Sequence, residues 1–414
     1  MKNIKYLLLI IFISFIGCED EGDPVLYNTM PKQNGQQPVI TSVSPTAAFA
    51  GDEIVTIIGQ NFLHGSDTTK VYFGSVRVKI LSIANDKIEV YAPVVPKQEA
   101  DIPNLTYADT AVLVRISVPY TSLFNDDYNY SLINGITKFG NVDANASLSP
   151  QALAVDNSGN ILASYLEGEN QTGAGVKKIG SDGTFYPTFS TKHTGTYTSM
   201  KIGPGDTLYT VSPAVWYIPT YPKEGGAYGA IIFKNNKMKI TDFDFDALKH
   251  LWVGGTGAVD SIFRVTRSPL AFKSYGFTGA VRSVRFFAGA LYIAANVNGE
   301  EKIFKAVINS SNDMEAPTEY FNLSANANNL KPNSMTFDVD GNLYIASDAL
   351  NGILEIKPNK SVVYRYSSYF SIPFKSIQWG TGNYLYATVQ TFTTKGSVVK
   401  IDMRTSGAPY YGRQ

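Results

Sequence analysis

The sequence predicts an all-β chain, a small β-sandwich followed by a six-bladed β-propeller, and three observations carry that prediction. A unit made of a Gly/Asn/Asp-rich turn, an apolar-aromatic pair and a second apolar strand recurs six times. Ahead of it lies a stretch in which apolar residues alternate with polar ones between turn residues. The first 37 residues share neither pattern.

The front of the chain reads as an export leader. Lys2 and Lys5 precede an uncharged apolar run from Tyr6 to Ile16 and then Gly17-Cys18. That run is too short to cross a bilayer, which takes about 20 residues. Cys18 is the single cysteine, so no intramolecular disulfide can form. Phe15-Ile16-Gly17-Cys18 resembles the lipobox of bacterial lipoproteins, with Phe15 where Leu is usual. The resemblance implies a signal peptide over residues 1–17, a lipidated Cys18 and membrane attachment through the acyl chains alone. Glu19, Asp20, Glu21 and Asp23 follow. They read as a solvated linker or, by similarity, as the surface-export signal of lipoproteins in Gram-negative bacteria that live on polysaccharides. Residues 18–37, with Pro24, Pro31 and Gly35, have the composition of a flexible tether. The expected location is the outer membrane, lipid-anchored and exposed at the cell surface.

Residues 38–132 have the period-two pattern and the length of one sandwich. The ordered elements Pro38-Val39-Ile40-Thr41-Ser42-Val43-Ser44-Pro45, Gly51-Asp52, Val55-Thr56-Ile57-Ile58-Gly59-Gln60-Asn61-Phe62 and Val71-Tyr72-Phe73-Gly74 resemble an IPT/TIG domain. That family implies an immunoglobulin-like fold without catalytic residues, hence a spacer or docking module. Val55, Ile57 and Phe62 are expected in its core, and Gly59 and Gly74 at turns with φ > 0.

The propeller, residues 134–414, follows from the spacing of its repeat. The pairs Ile161-Leu162, Leu208-Tyr209, Leu251-Trp252, Leu291-Tyr292, Leu343-Tyr344 and Leu385-Tyr386 are 47, 43, 40, 52 and 42 residues apart. A strand-rich period near 45 is that of a propeller blade. Second strands are expected at Val176–Ile179, Ile232–Lys234, Ile262–Val265, Ile303–Ala306, Ile353–Ile356 and Val398–Ile401, five of the six carrying Lys or Arg third. No outer strand follows Ile401, whereas Ile136–Phe139 is apolar and unpaired ahead of the first blade. It is expected to complete blade six and so to close the ring. Pro332 to Ala346 and Pro150 to Ile161 resemble NHL-type propellers, and no Trp-Asp dipeptide points to the WD40 class.

Composition narrows the function. Thirty-five basic and 35 acidic residues balance, which gives no electrostatic case for nucleic acid and weighs against strong binding to polyanions, a local patch aside. The three histidines are His64 in the sandwich and His193 and His250 in the propeller, too few in one ring for a three-histidine metal centre. Asp338-Val339-Asp340-Gly341-Asn342 begins like a calcium loop, but position twelve is Ala349. The same turn recurs at Asp156, so it reads as a hairpin. No metal and no cofactor is expected. Gly254-Gly255-Thr256-Gly257 opens no helix, against a phosphate loop. No carboxylate pair stands at a spacing suited to acid-base catalysis.

Loop length points to a binding face. From pair to second strand the separations are 15, 24, 11, 12, 10 and 13 residues, so blade two carries the longest insertion, Ser212 to Gly229. Trp216, Tyr217 and Tyr221 within it, joined by Tyr165, Tyr197, Tyr369 and Phe392 from neighbouring loops, are the candidate ligand-binding residues. Aromatic faces suit the C–H faces of sugar rings, and a stacked ring contributes about 2 kcal/mol. The opposing expectation is that these aromatics pack inward. Lipid anchor, tether, sandwich and propeller together resemble accessory lipoproteins of outer-membrane polysaccharide uptake. The expected function is therefore non-catalytic capture of a polysaccharide or oligosaccharide, with an outer-membrane transporter complex as a possible partner. A protein-binding or adhesion module is the first alternative, and a propeller-type lyase or hydrolase the second. Asp-Thr or Asp-Ser pairs at Thr68, Thr110, Thr207 and Ser261 resemble a bacterial O-glycosylation acceptor.

Overall fold

The computed structural model describes residues 35–63, 68–95, 109–119, 121, 123–142, 146–192, 195–212, 216–235, 237–257, 262–350, 352–367, 369–370, 373–390 and 395–413. The leader with Cys18, the acidic run, His64, His193, Ser261 and Phe392 lie outside these residues.

The first domain is an immunoglobulin-like sandwich of two sheets. One orders its strands Val39–Ser44, Ile54–Gln60, Lys87–Tyr91 and Ile80–Ile83; the other runs Ala47–Phe49, Tyr128–Ile133, Thr110–Ser117, Lys70–Phe73 and Val76–Val78. The Ile54–Gln60 strand buries alternate residues, as its sequence pattern requires. Val55, Ile57 and Phe62 are fully buried in the common core. Gly74 has φ +57°, a turn conformation that favours glycine. Gly59 corrects the expectation, because it sits within a strand. A Cβ there would fall 1.9 Å from the Val39 carbonyl oxygen and 2.4 Å from Phe62 Cζ, so the position needs glycine for close approach.

Six four-stranded antiparallel sheets then form the propeller. Their inner strands are Leu148–Val155, Ser199–Gly203, Met238–Phe245, Ala280–Phe287, Pro332–Phe337 and Phe374–Trp379. Every apolar-aromatic pair lies in the second strand of its blade. The second member of each pair faces one inner-strand position: Ala154, Lys201, Asp244, Arg285, Thr336 and Gln378 oppose Leu162, Tyr209, Trp252, Tyr292, Tyr344 and Tyr386. Blade six is completed by Ile136–Phe139, which pairs antiparallel with Gly396–Asp402 and sets Ile136 opposite Ile401. The ring is thus closed by its two ends, and no inner or outer strand of that blade is missing.

The turn expected at Asp156 and Asp338 is organised by the aspartate itself. Asp338 Oδ1 accepts the Asp340 and Asn342 N–H groups, and Oδ2 accepts Asn342 Nδ2 and the Tyr344 hydroxyl. Asp246 does the same in blade three, binding the Leu248 and His250 N–H groups, His250 Nδ1 and Trp252 Nε1. These carboxylates spend their acceptors within their own hairpins.

Blade two departs from the expected plan. Its third strand is Tyr217–Tyr221, with Leu208 opposite Tyr221 and Tyr209 opposite Thr220; Ile231–Lys234 is the fourth strand. The supposed 24-residue insertion is therefore a strand followed by a long outer connection. Within that connection Gly226–Ala227 pairs in parallel with Ser190–Lys192, which belongs to the edge of blade one.

The sandwich is bolted to blades five and six. Asp52, its side chain 1% exposed, pairs with Arg365 at 2.6 Å and with Arg404, and accepts the Tyr366 N–H; Glu53 pairs with Arg404. Tyr369 donates its hydroxyl to Asn134 Oδ1 in the segment joining the domains.

Candidate functional site

The two ends of the propeller channel are built differently. On the face where inner strands begin, five of them carry a bulge at one shared position: Gln151, Thr241, Arg282, Asn333 and Lys375 stand outside the pairing register. Thr198 occupies the same place in blade two, donating its N–H to Val211 just ahead of the inner strand. A bulge leaves one residue unpaired and re-aims its side chain. The outcome is a polar ring around the mouth.

That ring is stitched in place. Thr241 Oγ1 donates to the Val281 carbonyl of the next blade, and Asn333 Nδ2 donates to the Phe374 carbonyl of the next and to Asp348. Arg282 presents Nε and Nη2 to the two oxygens of the fully buried Glu301 at 2.7 and 2.5 Å, and Lys375 pairs with Asp348 at 2.7 Å. A cavity of about 250 Å³ opens here, lined on its polar side by Thr198, Lys239, Thr241, Thr256, Arg282 and Asn333. Its walls come from blades two to five, so the site exists only once those four blades have packed together.

Below the mouth the wall is charged and buried. Asp242 accepts hydrogen bonds from Ser199, Ser283, the Val284 N–H and Lys201 Nζ, the last at 3.0 Å. Burial pushes its carboxyl up, but Lys201 and these hydrogen bonds more than offset that and hold it below its ordinary value. Burial dominates at Asp244, two residues on, and pushes its carboxyl up despite Arg285 at 3.6 Å, the charge of Lys201 and the Phe286 N–H. Gln378 reaches from blade six to the Met200 carbonyl of blade two.

The opposite end is plugged by the segment after blade six. Ala408 donates its N–H to Phe337, a Cβ on Gly407 would fall 2.2 Å from Trp379 Cγ, and Tyr410 packs edge-on against Phe245. Tyr411 meets Phe286, Gly412 closes on the Ile202 carbonyl, and Arg413 reaches the Val155 carbonyl. Val155, Ile202, Phe245, Phe286, Phe337 and Trp379 are one register position repeated in all six inner strands. The plug touches each of them, so the channel is a blind well open at the bulged face.

Several candidate aromatics are corrected by burial. Tyr165, Tyr197 and Tyr221 are at most 1% exposed, and Tyr369 is 9% exposed at the domain junction. Tyr165 lies in blade one's second strand with its ring against Phe185, while the Tyr197 and Tyr221 hydroxyls meet at 2.5 Å between blades one and two. Strand register turns these rings into the inter-blade core, and none can offer a face to a ligand. Trp216, 44% exposed, and the half-buried Tyr217 remain at the start of blade two's third strand, on the mouth side. The Trp216 carbonyl accepts the Asn235 N–H. Thr68 is exposed, and Thr110 and Thr207 are half-buried. His250 sits at the floor, on the Asp246 hairpin, away from the mouth. Among the described residues no group of three His, Cys, Asp or Glu is placed to hold a metal. The polar ring went unseen in the sequence, although its members stand nine or ten residues before each apolar-aromatic pair.

The IPT/TIG domain model matches residues 38–132. No curated protein matches the chain in sequence. Among solved structures, an auxiliary nutrient binding protein from Bacteroides ovatus superposes with a TM-score of 0.50 at 11% identity, covering 92% of this chain and 100% of that one. A Bacteroides thetaiotaomicron protein provisionally named a phosphatase gives a TM-score of 0.51 at 10% identity, covering 90% and 98%. At such identities the likeness is one of fold.

Proposed function

We propose that this protein is a non-catalytic binding protein of the bacterial cell surface, and that the bulged mouth of its propeller takes a carbohydrate. The observation that carries this reading is the repeated bulge: one register position in five blades leaves the pairing with a hydrogen-bonding side chain, and three of these, Thr241, Arg282 and Asn333, line a cavity at the open end of a channel whose far end is sealed. A rigid ring of donors and acceptors suits hydroxyl-rich ligands, and a plugged channel suits retention better than passage. Trp216 and Tyr217 stand on the same face, where stacking on a sugar ring would add about 2 kcal/mol. The nutrient-binding name of the Bacteroides ovatus structure agrees with this reading, whereas the phosphatase name of the other does not. In keeping with it, Cys18 would be lipidated and residues 18–37 would tether the body to the outer membrane, with the sandwich as a spacer. An uptake transporter would be the natural partner.

Calorimetric titration of the protein with a panel of polysaccharides tests the reading. Binding that weakens about tenfold or more in Trp216→Ala or Thr241→Val is the expected result, in line with the loss of a stacked ring or a ring hydroxyl. Binding to no member, or release of shortened products, would overturn it. Intact mass of the membrane fraction checks both the acylation of Cys18 and the glycosylation of Thr68, Thr110, Thr207 and Ser261.

One surface favours a second, protein-binding reading. Ile231, Leu270 and Phe272 are 46–55% exposed along the outer strands of blades two and three, with Phe272 against Phe233. Cross-linking in cells, with and without Phe272→Glu, separates a contact there from ligand capture at the mouth.

A further inference from the structure

The chain as a whole is neutral, yet the mouth is not. Two of its cavity-lining side chains, Lys239 and Arg282, are cations, and no carboxylate lines the cavity. The acids nearest the rim are already committed. Glu301 is fully buried, holds two nitrogens of Arg282 and also accepts from Asn296 Nδ2 at 2.9 Å. Asp348 is shared between Lys375 and Asn333, with Lys331 also acting on it. Lys239 is exposed and has no ion partner among the described residues. Arg282, Lys375 and Lys239 therefore outnumber Glu301 and Asp348 at the rim.

The geometry of Arg282 matters more than the count. Its Nε and Nη2 edge is gripped by a buried carboxylate, which fixes the plane of the guanidinium and leaves the two Nη1 hydrogens and the second Nη2 hydrogen as further donors. A guanidinium held this way binds an incoming anion without first losing its own side-chain freedom. Glu301 costs free energy to bury, and a wholly structural pair would not require its cation to line a cavity.

We infer that the carbohydrate taken at the mouth is an acidic one, whose anionic substituent is bound between Arg282 and Lys239 while Thr198, Thr241 and Asn333 serve the neighbouring hydroxyls. This rests on the reading of the mouth as a carbohydrate site. The anion can be the carboxylate of a uronic acid or a sulfate ester, which share the same acceptor chemistry.

The test is calorimetric titration of the full chain with oligogalacturonate, with its carboxyl-reduced neutral form, and with a chondroitin sulfate oligosaccharide and its desulfated form, at low and high salt. The expected result is at least about tenfold tighter binding of one acidic ligand than of the neutral form, weakening with salt as screening requires. Lys239→Met, at an exposed position where folding is not at risk, should erase about tenfold of that preference. Arg282→Lys keeps the charge that Glu301 needs but loses the fork, and should lower acidic-ligand affinity while leaving the unfolding midpoint near wild type. Binding of chondroitin sulfate, but of neither its desulfated form nor oligogalacturonate, supports the inference and assigns the anion as sulfate. Equal binding of acidic and neutral ligands, unchanged in Lys239→Met, overturns it and leaves the carbohydrate reading standing. Absence of binding in every arm, and to neutral polysaccharides as well, removes both.

Discussion

The floor and the mouth of the propeller are made from the same six inner segments, four residues apart, and follow opposite rules. At the floor, Val155, Ile202, Phe245, Phe286, Phe337 and Trp379 are buried beneath the segment that ends at Arg413. At the mouth, Gln151, Thr198, Thr241, Arg282, Asn333 and Lys375 are all polar and none is buried. Ordinary register closes one end, and a bulge opens the other. On the proposed reading, this blade repeat encodes stability in its regular positions and recognition in the one position where pairing fails. Substitutions should therefore separate by depth: deep ones cost stability, shallow ones cost only binding.

The largest effect is expected halfway down, at Asp242. Asp242→Asn leaves Lys201 buried without its counter-charge, which costs about 3–5 kcal/mol. The loss should depend on pH with a definite sign. The wild-type carboxyl is held below its ordinary value, so its contribution is complete above the unfolded aspartate range near pH 4 and fades as pH falls through the lower folded value. Denaturant midpoints of wild type and variant should thus converge only in acid. Asp244 has the opposite sign, because its raised carboxyl makes folding less favourable as pH rises through that range. Asp244→Asn should consequently cost less than Asp242→Asn at pH 7. The reverse order would mean that Arg285, not Lys201, anchors the wall.

Tyr410→Ala tests the plug. The ring is 7% exposed, packs against Phe245 and lies 5.0 Å from the Arg285 guanidinium. Its removal should cost roughly 3 kcal/mol, the low end for a buried aromatic, since its hydroxyl makes no hydrogen bond that would also be lost. A cost below about 1 kcal/mol, the range of ordinary surface changes, would show that the segment rests on the floor without sealing it. Asp338→Ala, at the hairpin beside the plug, should follow at about 2 kcal/mol, because it strands two backbone donors and the Tyr344 hydroxyl. Proteolysis rates of the Asp338 hairpin would register that local opening directly.

How far this was legible in the sequence depended on whether a feature repeats in residue type. The apolar-aromatic pairs, the Asp-Gly-Asn hairpins and the closing strand at Ile136 repeat chemically, and they placed five blades and the ring closure. Blade two was misread because Ile232-Phe233-Lys234 in its fourth strand carries the apolar-apolar-basic pattern of the other third strands, whereas the true third strand holds Pro219. The structure accommodates it at a register shift opposite Ile231, where its missing N–H leaves no ladder bond unmade. Ile231–Lys234 then imitated a third strand, and Tyr217 and Tyr221 were taken for loop residues. The mouth ring stayed hidden for a different reason. Gln, Thr, Thr, Arg, Asn and Lys share no side chain, only a backbone irregularity, and a bulge leaves no mark in composition.

The smallest expected effect sharpens the comparison most, since it uses one strand. Thr198 and Lys201 stand three residues apart on the inner edge of blade two, one exposed at the mouth and one buried in the wall. Thr198→Ala removes an exposed hydroxyl, so stability should change by no more than about 0.5 kcal/mol. Lys201→Met on the same strand strands the Asp242 charge and should lose several kcal/mol, about as much as Asp242→Asn. The double variant Lys201→Met/Asp242→Asn should then recover part of that loss, because removing both charges also removes the cost of burying either one. A large stability loss in Thr198→Ala would place the boundary between scaffold and site above the bulge instead of at it. Equal, small losses in both single variants would mean that the buried pair is solvated through the well, and that water reaches the wall from the mouth.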